Sequence, residues 1–458
     1  MGVTLKATHV VLPAEPTREG ILPLSDLDQV GVISHTSVLY FYDRPSHEDW
    51  VDPLKNKVIN TLKDSLSRVL VPFYPLAGRL SWIEGSRLEL DCKAMGAELI
   101  EAESTDNISD FGDFVESSTS MFRDLIPHID YANSPIQQLP LLCVQATAFG
   151  CGGICVAIHF SHVLMDGRSL FHFIKEWGRF ARGEPLEVAP YMDRLALKYK
   201  PAKVDPLVSF SQVVDDGDDD DDALNEKTQR LSPTFVLLTG DRIEILKKVA
   251  NRDHVAETHC RKYSRFEVIT AHLWRCMTLA RELDPHQMMT LYVIADARSR
   301  LDPPLPSSYF GNAIIPVTAR SRAGELLSMP LSYACSKVRE AVEQMSSEYI
   351  KGTIESLGKE ENLSKLQYME DRGDLVGNSA QSSPDMWVTS SLNLLAQGLD
   401  FGWGKEVYAG PPTGLSDYRN TLVLPHYRWD GSVKLATWLQ ANDNSSKFID
   451  FCIHGDAE

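Results

Sequence analysis

Apolar positions along this chain recur with two periods, and the switches between them mark out its elements. Ile154, Val156 and Ile158 alternate as one face of a strand. An earlier apolar run, Leu141 to Phe149, is separated from it only by the turn Gly150-Cys-Gly-Gly153, so the pattern predicts a hairpin. Leu170, Phe173, Ile174 and Trp177 then follow the i, i+3, i+4, i+7 rule of a helix with one core-facing stripe, stopped by Gly183 and Pro185. The same period runs through Leu54, Val58, Leu62, Leu66 and Val69, predicting an amphipathic helix between Pro53 and Leu70. Strands are expected at 7–13, His35–Tyr42, 79–91 and 97–101, with a turn or short helical piece at Leu24–Asp28 and a loop with some helix at 103–120. Later come a strand Thr234–Thr239, a helix Arg242–Asn251 capped by Thr239 or Asp241, a helix Val268–Glu282 and a strand Leu291–Ala295. A helical stretch 330–357, a β-rich run Trp387–Leu395 and a hairpin about Asp430-Gly431 complete the reading.

Residues 196–232 break this regularity. They hold Lys198, Lys200, Lys203, Pro201 and Pro206, and positions 215–222 are Asp except for Gly217. Self-repulsion and low apolarity predict a solvated linker there, and the run lacks the spaced ligands of a calcium loop. The chain is thereby divided into 1–195, a crossover at 196–232, and 233–458. At 458 residues it is long enough for two or three domains, and 43% hydrophobic with 24% charged residues is ordinary for a globular protein.

Charge and cysteine usage then remove function classes. A net charge of −18 lacks the basic footprint of a nucleic-acid binder. No window approaches ~18 consecutive apolar residues, so no membrane span is expected. Met-Gly-Val-Thr-Leu-Lys at the start has no apolar core of a secretory signal, and Lys6 stands where a myristoylation motif wants Ser or Thr. Eight cysteines without a CxxC pair fit reduced thiols in the cytoplasm.

The chemistry concentrates between the Ile154 strand and the Leu170 helix, where His162, Asp166 and Gly167 sit. A histidine held at a strand end is well placed as a general base, although the same position suits a hydrogen-bonded structural histidine. His159, His162 and Asp166 could together supply metal ligands, but no second His/Cys cluster completes a set, so no metal is expected. A covalent acyl-enzyme would need a nucleophile on a sharp turn such as G-x-S-x-G, which is absent, and nothing activates Ser161. No phosphate-cradling P-loop or G-x-G-x-x-G is present either. The residues leave a single base acting on one substrate beside a second, activated one.

His162-Val-Leu-Met-Asp166-Gly167 resembles the HxxxDG motif of the plant acyl-CoA-dependent acyltransferases called the BAHD family. Asp400-Phe-Gly-Trp-Gly404 matches that family's second motif. Val71-Pro-Phe-Tyr-Pro-Leu-Ala-Gly-Arg79, Ala271-His-Leu-Trp-Arg275, Asp296-Ala-Arg-Ser-Arg300 and Tyr309-Phe-Gly-Asn312 read as further signatures in family order. The resemblance implies an α/β protein of two similar chloramphenicol-acetyltransferase-like domains with mixed sheets, joined by a long crossover loop. It also implies a channel at their interface, a monomer whose partners are acyl-CoA and a small acceptor amine or alcohol, and no permanently bound cofactor. His162 would take a proton from the acceptor amine or hydroxyl as that group attacks the thioester. Asp166 would be turned away and paired with Arg298, and Asp400 would support its own loop. Ser264, Arg265, Arg298, Ser299, Arg300, Thr389 and Ser390 match positions where relatives approach CoA.

The acceptor side is read from departures. Val11-Leu-Pro-Ala-Glu-Pro-Thr17 with Leu24-Ser-Asp-Leu-Asp28 resembles the spermidine hydroxycinnamoyl transferase branch. Where many relatives have Thr-Ser-Trp, this chain has Thr389-Ser390-Ser391. Members that acylate shikimate or quinate place an arginine two residues after that Trp, and here Asn393 stands instead. The expected reaction is transfer of a hydroxycinnamoyl or benzoyl-type group to an amine such as spermidine, with Ser391 and Asn393 lining the acceptor pocket. Esterification of a bulky alkaloid-type alcohol is the alternative, and an inactive relative that only binds is the alternative of another class.

Overall fold

A computed structural model describes residues 2–45, 57–112, 114, 122–198, 232–252, 261–368, 385–392, 394, 398–412, 420–428, 430–440 and 443–456. The poly-Asp run and Asn393 lie outside the described residues. Two six-stranded mixed sheets form the frame. The first has the order Val3–Val11, Ala97–Ser104, Leu142–Phe149, Ile154–Ser161, His35–Tyr42, Tyr408–Gly410. Only its Ala97–Ser104 and Leu142–Phe149 pair is parallel. The second has the order Ser232–Leu238, Val433–Leu439, Asn420–Pro425, Met386–Ser390, Met288–Asp296, Ile314–Arg322, with parallel pairing on both sides of Met386–Ser390.

The hairpin and helix around the histidine form as their periodicity predicts. Leu142–Phe149 pairs with Ile154–Ser161, Val144 facing Ile158 and Ala146 facing Val156. The helix Gly167–Ala181 buries Leu170, Phe173, Ile174 and Trp177, each at most 4% exposed. Burial at this level stabilises by roughly 1.5–3 kcal/mol per large apolar side chain. The Trp177 indole N–H donates to Ser65 Oγ at 2.9 Å, fixing the helix against Val58–Val69.

Chain order and packing order diverge in one place. Residues 399–410 begin 167 positions after residue 232, yet they return to the first half. Tyr408–Gly410 extends the first sheet beside His35–Tyr42, and Leu399, Phe401 and Trp403 lie in its core. In the other direction, Leu27 and Leu197 pack in the core of the second sheet. Other differences from the periodic reading are local. The helical stretch 330–357 is two helices, Leu331–Glu343 and Ser347–Lys359, because the Ser346 hydroxyl accepts the Tyr349 N–H at 3.2 Å and starts a new helix. The 79–91 run is two strands, Arg79–Ile83 and Arg87–Asp91, folded about Gly85 at φ +70°. The late hairpin is built from Asn420–Pro425 and Val433–Leu439, longer and earlier than the Asp430-Gly431 signal implied. Among the described residues, no helix is long and apolar enough to cross a membrane.

Candidate active site

Ser161 is the last residue of its strand, so His162 opens the turn that leads into the Gly167–Ala181 helix. The His162 N–H donates to the Ser34 carbonyl at 3.0 Å, which ties the turn to the segment entering His35–Tyr42. Asn312 donates to the His162 and Val163 carbonyls, and Arg194 donates to that of Leu164. The imidazole is half-buried. Burial lowers its pKa, against upward pulls from its own backbone, the Asp166 charge and Asn312. The neutral form that a general base requires is therefore favoured.

Asp166 occupies the N-cap of the helix and is 1% exposed. Its Oδ1 accepts the Ser169 N–H at 3.0 Å and an Arg298 Nη–H at 2.9 Å. Its Oδ2 accepts the other Arg298 Nη–H at 2.8 Å and the Ala313 N–H at 3.0 Å. A capping Asp favours the helix through an orphan N–H and the dipole. Here it also makes a bidentate pair across the two halves of the chain. Both carboxylate oxygens are filled, which gives Asp166 a supporting place in the turn that begins at His162.

Arg298 is 2% exposed and bonds, besides Asp166, to Asp296 Oδ1, Ser169 Oγ and the Tyr309 and Gly311 carbonyls. That corrects its expected place among CoA contacts, since both terminal nitrogens are spent on the interior. Arg300 donates to the Val342 carbonyl at 2.8 Å, at the end of Leu331–Glu343, while Ser299 is exposed. Ser264 caps the helix Arg265–Ala280 through a reciprocal pair with Glu267. Arg265 donates to the Gly431 carbonyl at 2.6 Å. Thr389 and Ser390 end the Met386–Ser390 strand, both half-buried.

Ser391 continues that strand, its N–H donating to the Val423 carbonyl at 3.0 Å. Its hydroxyl is buried and makes no hydrogen bond. Three residues on, Leu394 lies so close to Gly167 that a Cβ added there would meet Leu394 Cδ1 at 3.0 Å. The Ser391 segment thus runs against the first residue of the helix that follows His162.

Asp400 serves its own loop. Its Oδ1 accepts the N–H groups of Gly402 at 2.7 Å and Gly404 at 2.9 Å, and both glycines have positive φ, +107° and +119°. The loop docks on the far end of the Gly167–Ala181 helix. Phe401 meets Trp177 edge-on at 4.9 Å, and a Cβ on Gly178 would sit 2.8 Å from Leu399 Cδ1. Gly178 is about 16 Å along the helix from Gly167, at 1.5 Å per residue. Asp400 is a buttress at that end. In the Ala271–Arg275 signature, His272 and Arg275 both bind Asp456 at 2.9 Å, which clamps the Ser445–His454 helix onto Arg265–Ala280.

His159, the metal alternative's other histidine, is engaged elsewhere. It faces Ser37 across the sheet, with Nδ1 at 2.7 Å from Ser37 Oγ and its ring 4.9 Å from that of His35. Among the described residues, no group of three or more His, Cys, Asp or Glu side chains could hold a metal ion. Asp28, Arg194 and Asn312, which organise the turn, escaped periodicity altogether. The only sequence signal for Asp28 and Asn312 was membership in motifs.

The pH dependence follows from the His162 environment. As a general base His162 would act through its neutral imidazole, and burial holds its pKa below the ordinary 6.5. Activity is then retained as pH falls past 6.5 and lost only through the lowered pKa. The acid limb of kcat/KM is expected below pH 6.5, measured with an acceptor that does not itself titrate there. A limb at or above 6.5 would contradict the assignment.

Comparisons with known proteins agree with this arrangement. The profile of the family described as "Transferase family" matches residues 1–449. Hydroxycinnamoyl-CoA:piscidic acid hydroxycinnamoyltransferase of Actaea racemosa is 36% identical over 462 residues, covering 98% of this chain and 99% of that one. Shikimate O-hydroxycinnamoyltransferase of Nicotiana tabacum is 35% identical, covering 96% and 97%. The crystal structure of vinorine synthase superposes with a TM-score of 0.71 at 22% identity over 98% of this chain and 97% of that one. F. sporotrichioides TRI101 complexed with coenzyme A and T-2 superposes at 0.73, with 17% identity over 92% and 95%. Both solved structures share the fold of two mixed-sheet α/β domains. The chain belongs to the Transferase family, the BAHD acyltransferases, and is an acyl-CoA-dependent acyltransferase that uses acyl-CoA as a co-substrate.

Proposed function

We propose that this enzyme moves a hydroxycinnamoyl group from CoA to an acceptor amine, with His162 as general base and without an acyl-enzyme. The observation that carries the mechanism is the His162 turn, with a neutral-favoured imidazole on a backbone held from both halves of the chain. In this reading His162 removes the proton as the acceptor nitrogen attacks the thioester carbonyl. The tetrahedral oxyanion collapses, the C–S bond breaks, and CoA leaves as the thiolate. Asp166 and Arg298 hold the turn, and Asp400 braces the other end of the helix. The hydroxycinnamoyl donor is supported by the relatives, whose names record such donors with shikimate, piscidic acid and 5-hydroxyanthranilate as acceptors.

An amine acceptor is supported by three features. The segment Leu24–Asp28 resembles the spermidine branch, Asn393 stands where carboxylate-binding relatives have arginine, and a net charge of −18 favours a cationic substrate. The 5-hydroxyanthranilate relative of Avena sativa, 34% identical over 456 residues, is itself named an N-acyltransferase. Esterification of an alcohol remains the second reading, favoured by the O-acylating tobacco relative. The test is free-thiol release with hydroxycinnamoyl- and benzoyl-CoA, each crossed with polyamines, aromatic amines and alcohols. Release with spermidine and hydroxycinnamoyl-CoA supports the first reading; release with alcohols alone overturns it.

Ser391 gives a sharper probe of the acceptor side. Its unbonded hydroxyl is buried in the segment whose Leu394 abuts Gly167, so an indole there would crowd the acceptor side if that segment lines it. Ser391→Trp is expected to raise acceptor KM at least tenfold or abolish transfer, with donor KM within about twofold. Unchanged selectivity would place Ser391 outside the pocket.

A further inference from the structure

We infer that Asp28, Arg194 and Asn312 form a positioning clasp that fixes the backbone under His162, so that they set the turnover rate without touching either substrate. This rests on His162 being the general base. Three consecutive carbonyls of the base-bearing turn point at two side chains. Asn312 Nδ2 donates to His162 O and Val163 O, both at 2.9 Å, and Arg194 Nη2 donates to Leu164 O at 2.7 Å.

Both donors are gripped by one carboxylate. Asp28 Oδ2 accepts Arg194 Nη1 at 2.7 Å, and Asp28 Oδ1 accepts Asn312 Nδ2 at 3.0 Å and the Asn312 N–H at 2.8 Å. The Ser25 N–H and hydroxyl, at 2.9 and 2.7 Å, occupy what remains of Oδ2. The Asp28 and Arg194 side chains are wholly buried, and Asn312 is 5% exposed. A buried ion pair is weak evidence for stability, because desolvation offsets its Coulombic gain. Its value here is directional. One fixed charge aims both an arginine and an amide at the peptide groups that carry the base.

The three residues come from separate parts of the chain. Asp28 follows the first strand, Arg194 begins the short helical turn Arg194–Leu197, and Asn312 lies just before Ile314–Arg322. Arg298 and Asp166 hold the other end of the same turn, so the five residues from His162 to Asp166 are pinned at each end. A shift of about 1 Å in a reacting group can cost on the order of 100-fold in rate.

The test uses Asn312→Ala and Arg194→Lys in the full-length enzyme. Lysine retains the cation beside Asp28 but cannot also span to Leu164 O, and it guards against an alanine variant that fails to fold. Each is expected to lower kcat by about 10- to 100-fold, with donor KM within about twofold and a folded, cooperatively melting protein. In a His162→Ala background the same changes are expected to cost less than twofold of the residual rate, because there is no base left to position. Unchanged kcat, a loss confined to KM, or the same fold-loss without His162 would overturn the clasp. Failure of the acyl-transfer reading is distinguished by the wild type, which would then release no thiol with any acyl-CoA.

Discussion

Replacing His162 with alanine is expected to reduce transfer by on the order of 10²- to 10⁴-fold while acyl-CoA still binds. The size of that loss follows from His162 being the one candidate base at the site among the described residues. His159, three residues earlier, is turned to Ser37 and His35, and both Asp166 oxygens are filled by Arg298, Ser169 and Ala313. Neither can take over without dismantling its own hydrogen bonds. The donor should survive because alanine keeps the main-chain bonds that anchor the turn, the residue 162 N–H to Ser34 and its carbonyl to Asn312. Single-turnover rates with a labelled acyl-CoA, together with donor affinity by calorimetry, separate the two effects. Near wild-type turnover would remove His162 as the base.

What could be read from the sequence was what depends on near neighbours. The stripe Leu170, Phe173, Ile174, Trp177 is a local property of one helix, and the strand Ile154–Ser161 is fixed by its alternation and the glycine turn before it. His162 and Asp166 were visible because only three residues separate them and both sit at a change of period. Asp28 illustrates the opposite case. Its partners Arg194 and Asn312 lie 166 and 284 positions away, and no pattern within a window reports a bond of that span. The return of Tyr408–Gly410 to the first sheet is hidden for the same reason. A short β-like run does not name its neighbour, so the segment reads with the half that surrounds it in sequence. Arg298 shows a different limit: the motif marked the residue as important, and only its depth in the structure decided between CoA and Asp166. The break at Gln344–Ser346 was within reach, because a serine opening a helix after a polar stretch is an N-cap signal.

Breaking the Asp166–Arg298 pair is expected to cost about 3–5 kcal/mol in stability, and activity with it, because removal of either partner leaves a buried charge uncompensated. The pair is 1% and 2% exposed, and it links the cap of the Gly167–Ala181 helix to the turn that follows the strand Met288–Asp296. Asp166→Asn would retain the shape of the side chain but turn an amide donor toward a guanidinium that can only donate. Arg298→Met would leave the carboxylate with the Ser169 and Ala313 N–H groups alone. Each single variant should therefore melt well below the wild type and turn over slowly. The double variant Asp166→Asn/Arg298→Met separates support from chemistry, since it removes both charges together and leaves none unpaired. If Asp166 acts by holding the turn, the double variant should recover stability relative to at least one single variant, with a coupling of 0.5 kcal/mol or more, and recover part of the activity. If Asp166 took part directly in proton transfer, stability could return while activity stayed lost. Melting curves and kcat for the four proteins in one cycle decide it: stability restored without any recovery of kcat would move Asp166 from the frame of the site into its chemistry.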